Sequence, residues 1–246
     1  MAKTNNKITI PIEGGKADYQ VVDHDRWIAA RRKLLAQEKK FSRQRDAINA
    51  LRRQLPWEKV EKEYVFDGPD GKESLADLFG KHNQLLVYHF MFAPEWKEPC
   101  AHCSFWAEHY DAMGVFLAAR DTSFVVVSRA PVSKINAFKK RIGWKFKWVS
   151  SGGNDFNYDL MVSFTPQQLK SGQIHYNYVD TPREVNSDRE GASAFFKHRG
   201  VVYHTYSTYA RGIDLLNSTY NWLDLTAKGR DEGDKGQFWV RFRDRY

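Results

Sequence analysis

The sequence has little cysteine, no long apolar run and almost no net charge outside one segment. Only 2 of its 246 residues are cysteines, which excludes a scaffold built on several disulfides. No apolar stretch approaches the roughly 18–20 residues of a membrane-spanning helix, which excludes an integral membrane protein. The first residues also lack the apolar stretch of about 7–15 residues that marks a secretory leader, so we expect a cytoplasmic protein.

The positive charge is concentrated in a single segment that is predicted to form a long helix. Residues 26 to 53 contain ten basic and two acidic side chains, whereas the rest of the chain holds 28 of each. Asp23 or Asp25 can cap this helix, and Pro56 ends it. The helix is predicted from an apolar stripe with a spacing of seven residues, formed by Trp27, Leu34, Phe41, Ile48 and Leu55.

This basic helix is interpreted as an arm that packs on its own domain or on a second subunit. Phosphate binding requires aromatic residues interleaved with the basic ones, but here Trp27 and Phe41 lie on the apolar stripe. We therefore expect a homodimer and no nucleic-acid partner. The sequence is divided into an N-terminal segment at 1–56, which carries the arm, and a domain at 57–246.

The domain alternates between strand and helix patterns, which predicts an α/β sheet with right-handed crossovers. The near-continuous apolar run at 85–92 is typical of a central strand covered on both faces. The other predicted elements are a strand at 64–66, a helix at 104–120, a strand at 124–127, a helix at 131–142, strands at 144–148 and 158–164, a hairpin at 192–196 and 201–206, and a helix at 213–225.

The motif that carries chemistry is Cys100-Ala101-His102-Cys103, which follows the apolar run and begins a predicted helix. The first turn of a helix presents unpaired N–H groups and positive dipole charge, which favour a thiolate. A spacing of three residues lets the second sulfur reach the first. We predict that Cys100 is the nucleophile and Cys103 the resolving thiol. Half of a zinc site and two inert buried cysteines are the alternatives, but no second cysteine pair exists to complete a zinc site, and we expect no metal and no cofactor.

Six further residues are candidates for a role around this pair. His102 and Glu98 would shift the pKa of the thiolate in opposite directions, His102 downward and Glu98 upward. Trp96 is expected to flank the disulfide. The candidate substrate-binding residues are Trp106, Tyr203 and Tyr206. The helical spacing of Trp106 favours core packing instead, and aromatic packing across a strand explains the two tyrosines equally well.

Several segments stand in an order that resembles one bacterial family. They are Asp67-Gly68-Pro69, the run at 85–92, Cys100-x-x-Cys103-Ser104-Phe105-Trp106, the segment at 203–209 and Leu223-Asp224-Leu225-Thr226. The sequence resembles the thioredoxin-like family of predicted dithiol–disulfide oxidoreductases. The resemblance implies a thioredoxin-like fold, with a central mixed sheet flanked by helices and the cysteine pair at the start of a helix. It also implies exchange with a disulfide of a protein or a small molecule, and recycling by an external thiol reductant.

The sequence also departs from related families. Thioredoxins place Trp directly before the first cysteine and a proline before the third core strand, whereas this chain has Pro99 and a proline-free stretch at 189–194. Peroxiredoxins have the pattern Pro-x-x-x-Thr-x-x-Cys, whereas here Pro94 lies six rather than seven residues before Cys100 and Glu98 takes the position of the threonine. The missing threonine argues against peroxiredoxin activity. The missing proline favours an alternative function, a non-catalytic thioredoxin-fold adaptor that self-associates through its N-terminal helix.

Overall fold

The computed structural model describes residues 7–181 and 186–246, so residues 1–6, on which the prediction about a leader rests, lie outside the described part. The chain divides into two compact units. One unit comprises Met1–Leu55 and Trp222–Phe238, and the other comprises Pro56–Asn221 and Trp239–Tyr246. The sequence places the residues from 222 to 238 in the second domain, whereas in the structure they join the first unit.

The first unit contains a hairpin and the predicted long helix. Strands β1 (Lys7–Ile12) and β2 (Gly15–Gln20) pair antiparallel, and helix α1 spans His24–Arg52. The N-cap of α1 is Asp23, whose carboxylate accepts a hydrogen bond from the Arg26 backbone N–H at 2.9 Å. The predicted helix is thus confirmed, and its apolar stripe is exposed along its length.

The second unit is built on an eight-stranded mixed sheet. Its strand order is β3-β12-β11-β6-β7-β8-β4-β5. The strands are β3 (Glu58–Lys59), β4 (Val65–Gly68), β5 (Gly71–Ser74), β6 (Gln84–His89), β7 (Thr122–Ser128), β8 (Trp148–Ser150), β11 (Gly191–His198) and β12 (Val201–Tyr209), and a separate hairpin is formed by β9 (Ile174–Tyr176) and β10 (Val179–Thr181).

The centre of this sheet has the thioredoxin arrangement. Strands β6, β7 and β8 run parallel, β11 pairs antiparallel with β6, and β12 pairs antiparallel with β11. A crossover joins the parallel strands β6 and β7, and the β11–β12 hairpin pairs with the other side of β6. These two connections give the order β12-β11-β6-β7. The predicted thioredoxin-like fold is confirmed.

Helices cover both faces of the sheet. The helices after α1 are α2 (Ala101–Ala107), α3 (Tyr110–Ala118), α4 (Val132–Ile142), α5 (Phe156–Asp159), α6 (Pro166–Ser171) and α7 (Ser218–Leu223). On one face, Tyr88 of β6 packs against Tyr110 of α3, with ring centroids 5.1 Å apart. On the other face, Phe156 of α5 joins a core cluster with Val87 and Phe195. Because side chains alternate along β6, neighbouring residues of this strand pack against helices on opposite faces of the sheet.

Four predicted elements differ from the structure. The helix predicted at 104–120 is broken after Ala107, and the new start at Tyr110 turns this side chain into the core. The strand predicted at 158–164 is wrong, because its first residues belong to α5, where the Phe156 N–H donates to Asn154 Oδ1, and Met161 adopts a φ of 58°. The predicted strand at 144–148 starts only at Trp148, and the closing helix is a 3₁₀ segment followed by α7.

A chain of hydrogen bonds runs from the surface to a buried histidine on the sheet face opposite Tyr88. A register shift in the β11–β12 pairing at Thr205 brings His204 and Ser207 onto one face, where His204 Nε2 and Ser207 Oγ are 2.7 Å apart. Ser207 Oγ lies 2.7 Å from Ser193 Oγ, which lies 2.8 Å from His89 Nε2. Burial lowers the pKa of His89 to about 3, so this imidazole is neutral at pH 7.

Candidate active site

The site is built at the end of β6, where the chain leaves the sheet and enters α2. Cys100 adopts an extended conformation, with φ −65° and ψ 123°, and forms the N-cap of α2. Its backbone N–H donates to the Met91 carbonyl at 3.0 Å, which ties the start of the helix to the residues that follow β6. The helix start predicted from the sequence is therefore present, and Cys100 lies at its electropositive end.

The sulfur of Cys100 acts as the capping atom. Its Sγ accepts a hydrogen bond from the Cys103 backbone N–H at 3.4 Å. Cys100 is partly exposed, whereas Cys103 is buried, and both are free cysteines in this structure. Cys100 is thus accessible from the surface, whereas Cys103 is covered by the surrounding core.

The two thiols have opposite electrostatic environments. A hydrogen bond from the Cys103 thiol, together with contacts from His102 and the Cys103 N–H, holds the pKa of Cys100 well below its ordinary value. Burial, followed by the proximity of Cys100, raises the pKa of Cys103 well above its ordinary value. The arrangement therefore favours the thiolate at Cys100 and the protonated thiol at Cys103.

Two tyrosines lie beneath Cys103. Tyr88 projects from β6 toward α2 and α3, and Tyr110 begins α3. Both side chains are buried, and the charge of Cys103 contributes to raising the pKa of each phenol, after the larger effect of burial. Neither residue was predicted from the sequence, because their meeting depends on the break between α2 and α3.

A carboxylate borders the site from the start of β11. Glu190 directly precedes Gly191, whose pairing partner in β6 is His89. The Tyr176 hydroxyl donates to the Glu190 carbonyl at 2.8 Å, and Glu190 contributes to raising the pKa of Cys103. Gly191 has no room for a side chain, because a Cβ would lie 2.5 Å from the Tyr209 ring. Glu190 and Gly191 thus occupy the stretch where the sequence lacks the thioredoxin proline.

The predicted modulating residues differ in their surroundings. His102 is exposed and contributes a hydrogen bond that lowers the pKa of Cys100. The Glu98 carboxylate bonds to Arg141 at 2.6 Å and also contacts Arg245, and these partners hold its pKa below its ordinary value. Two guanidinium groups thus offset the charge of Glu98. Trp96 is half-buried, and its carbonyl accepts a hydrogen bond from Lys134 Nζ at 3.0 Å.

The structure does not bring the three predicted substrate-binding residues together at the cysteines. Trp106 is 5% exposed, and its indole N–H donates to the Ile213 carbonyl at 3.0 Å, as expected for a core residue. Tyr203 packs against Trp57 and pairs with Lys59 near the opposite end of β6, since β12 runs parallel to β6. Tyr206 lies midway along β12.

The described ranges contain no group of three or more His, Cys, Asp or Glu side chains that could hold a metal ion. Among the helices within those ranges, none is long and apolar enough to cross a membrane.

Comparisons with known proteins describe the family and the fold. The model of a family described as a bacterial protein of unknown function (DUF899) matches residues 16–246. A comparison with curated proteins found no match. Peroxidoxin BcpB from Mycobacterium tuberculosis has a TM-score of 0.44 and 14% identity, over 66% of this chain and 94% of its own. Peroxiredoxin Q from Xanthomonas campestris has a TM-score of 0.45 and 13% identity, over 63% of this chain and 86% of its own. These similarities concern the fold and transfer no activity to this chain.

Proposed function

We propose that the chain, which belongs to the bacterial protein family DUF899, is a thiol–disulfide oxidoreductase that works through Cys100 and Cys103. One observation carries the proposal: Cys100, a partly exposed residue, caps the start of α2 with its sulfur, and the buried Cys103 lies one helical turn away. The helix dipole and the Cys103 N–H both stabilise negative charge on this sulfur.

The exchange has two steps. The Cys100 thiolate attacks one sulfur of the substrate disulfide, a mixed disulfide forms, and the other substrate sulfur leaves as a thiolate with the electron pair. Cys103 then loses its proton and attacks Cys100 Sγ, which releases the second substrate thiolate and leaves a Cys100–Cys103 disulfide. Two electrons pass to the substrate, and an external thiol reductant restores the pair.

The proposed substrates are disulfides of proteins or small molecules that can reach Cys100. No cofactor enters the exchange, because both electrons come from the two thiols. The proposed location is the cytoplasm, because thiol reductants are available there and keep cysteines reduced between catalytic cycles.

The first experiment measures alkylation of the reduced protein by iodoacetamide between pH 4 and pH 10, with mass spectrometry to locate the modified residue. We expect Cys100 to react with an apparent pKa well below that of a free cysteine. The matched variants are Cys103→Ser, which keeps a hydroxyl donor beneath Cys100, and Cys103→Ala, which removes it. The alanine variant should show the larger rise in the pKa of Cys100.

The second experiment measures turnover of a small disulfide, oxidised glutathione, with dithiothreitol as the reductant. Cys100→Ser should abolish turnover, and Cys103→Ser should accumulate a mixed disulfide at Cys100. Since the chain has only two cysteines, each product can be assigned by mass. The proposal fails if Cys100 titrates like a free cysteine and diamide produces no Cys100–Cys103 disulfide.

A second candidate function is a non-catalytic adaptor with a thioredoxin fold. The start of β11 favours it, because Glu190 and Gly191 stand where a thioredoxin has the proline that positions a partner's backbone. The same turnover assay separates the two functions. An adaptor would show no turnover, and Cys100→Ser would behave like the wild type.

A further inference from the structure

The buried pair Tyr88 and Tyr110 presents two hydroxyl groups that need an explanation. Tyr88 is 1% exposed and Tyr110 is 3% exposed. Within the described part of the chain, neither hydroxyl makes a hydrogen bond of ordinary geometry, and the polar groups nearest to them are the Cys103 thiol for Tyr88 and the Tyr88 hydroxyl for Tyr110. A buried hydroxyl without a partner is unfavourable, and such groups are uncommon in native proteins.

The Tyr88 hydroxyl is directed at the sulfur of Cys103, and the Tyr110 hydroxyl is directed at that of Tyr88. Alternation along β6 places Tyr88 on the sheet face that α2 and α3 cover, and Cys103 is in the first turn of α2. Tyr110 joins them from the first position of α3, with its ring 5.1 Å from that of Tyr88. The pKa values of both phenols respond to Cys103, which is itself 2% exposed.

This cluster contains donors but lacks an acceptor of matching strength. A protonated thiol is a weak acceptor, whereas a thiolate accepts strong hydrogen bonds from hydroxyl groups. Cys103 carries negative charge only while a bond between the two cysteine sulfurs is forming or breaking. The unpaired hydroxyls thus match a transient state of Cys103 better than either of its stable states.

We propose that Tyr88 and Tyr110 donate hydrogen bonds to the Cys103 sulfur as it becomes a thiolate, and so accelerate opening and closing of the Cys100–Cys103 disulfide. This inference rests on the proposed function. In the opening step, one thiolate of a dithiol attacks Cys100 Sγ, the bond between the cysteine sulfurs breaks, and Cys103 leaves with the electron pair. Cys103 then takes a proton from solvent, and the second sulfur of the dithiol displaces Cys100, which leaves the dithiol oxidised to a cyclic disulfide.

The kinetics of this role differ from those of a structural hydroxyl. Stabilisation confined to the transition state changes the forward and reverse rates by the same factor and leaves the equilibrium unchanged. A hydroxyl that merely packs the core would instead alter stability, or would alter the reduction potential through one of the end states.

The experiment uses the full chain and measures the rate at which dithiothreitol reduces the Cys100–Cys103 disulfide at pH 7, with acid quenching and mass spectrometry. We also measure the rate of the reverse reaction with oxidised dithiothreitol. The equilibrium between the Cys100–Cys103 pair and dithiothreitol is measured in the same samples. The variants are Tyr88→Phe and Tyr110→Phe, each of which removes only a hydroxyl. Tyr64→Phe is the control, because the Tyr64 hydroxyl is paired with Asp159 at 2.7 Å on the other face of the sheet.

We expect Tyr88→Phe to slow both directions by roughly 10- to 100-fold, the equivalent of one hydrogen bond to a charged group. The reduction potential should stay unchanged. The urea midpoint of the reduced protein should stay unchanged or rise. Tyr110→Phe should act in the same direction. Tyr64→Phe should lower the urea midpoint and leave both rates unchanged.

Three results would overturn the inference in distinguishable ways. If the wild type forms and exchanges its disulfide but both phenylalanine variants near Cys103 react at the wild-type rate, the hydroxyls have no role and the proposed function stands. If the wild type forms no Cys100–Cys103 disulfide, the proposed function fails and the inference fails with it. If only one of the two rates changes and the potential shifts accordingly, the hydroxyls act on an end state, and the inference fails while the proposed function stands.

Discussion

Titration of the buried His89 should make the folded protein sensitive to mild acid. Its pKa is lowered from 6.5 to about 3, first by burial and then by the charge of His204. Below pH 6.5 the unfolded chain binds a proton at this residue while the folded chain does not. Stability therefore falls as the pH falls through this window, down to about pH 3.

The expected size of this effect follows from linkage. Well below pH 6.5, each pH unit removes about 1.4 kcal/mol from the free energy of unfolding, so the loss from His89 between pH 7 and pH 5 is about 2 kcal/mol. Carboxylates whose pKa is lowered in the folded state, such as Asp77 and Asp121, contribute at lower pH and leave this interval to the histidine.

The assay is urea unfolding followed by tryptophan fluorescence at pH 7, 6 and 5. His89→Gln keeps a polar group opposite Ser193 but does not titrate, so its free energy of unfolding should change less over the interval by about 2 kcal/mol. His175→Gln is the control, because this exposed histidine lies in the separate β9–β10 hairpin. Equal losses in the wild type and in His89→Gln would refute the reasoning.

Two further predictions concern the start of β11 and the arm. Gly191→Ala should destabilise the protein by about 1–3 kcal/mol in urea unfolding, because its Cβ would overlap the Tyr209 ring, whereas Gly153→Ala, with nothing within 4 Å, should be nearly neutral. A cost of equal size at both glycines would contradict the crowding argument. The side chains of Leu34 and Phe41, 55% and 59% exposed, are predicted to mediate a homodimer. Replacing both with Glu should then lower the sedimentation coefficient, and a monomeric wild type would refute this prediction.

Elements with a strong local pattern could be predicted from the sequence. Helix α1 follows from a seven-residue repeat, β6 from an uninterrupted apolar run, and the β11–β12 hairpin from two alternating segments around Arg199 and Gly200. The start of α2 at Cys100 was predictable because the apolar run of β6 ends shortly before it and Pro99 directly precedes it.

The parts that could not be predicted depend on contacts between distant segments. The apolar residues Val162 and Phe164 suggested a strand, yet they are buried in an irregular segment whose backbone bonds to Asn157 and Ser187. Glu190 comes near Cys103 through the pairing of β6 with β11, and Tyr110 comes near Tyr88 through the break between α2 and α3, neither of which local periodicity encodes. For the same reason, the distance of Tyr203 from the cysteines appears only once the direction of β12 is known.

The composition of the two compact units determines how either could be obtained separately. Removing the residues before Pro56 would leave Trp222–Phe238 without the rest of its unit, as an insertion between Asn221 and Trp239. A truncated variant that isolates the cysteine-bearing unit should therefore lack this insertion as well, with a short flexible linker across the gap. A gene for the isolated unit thus requires one deletion at the N-terminus and one internal deletion bridged by a linker.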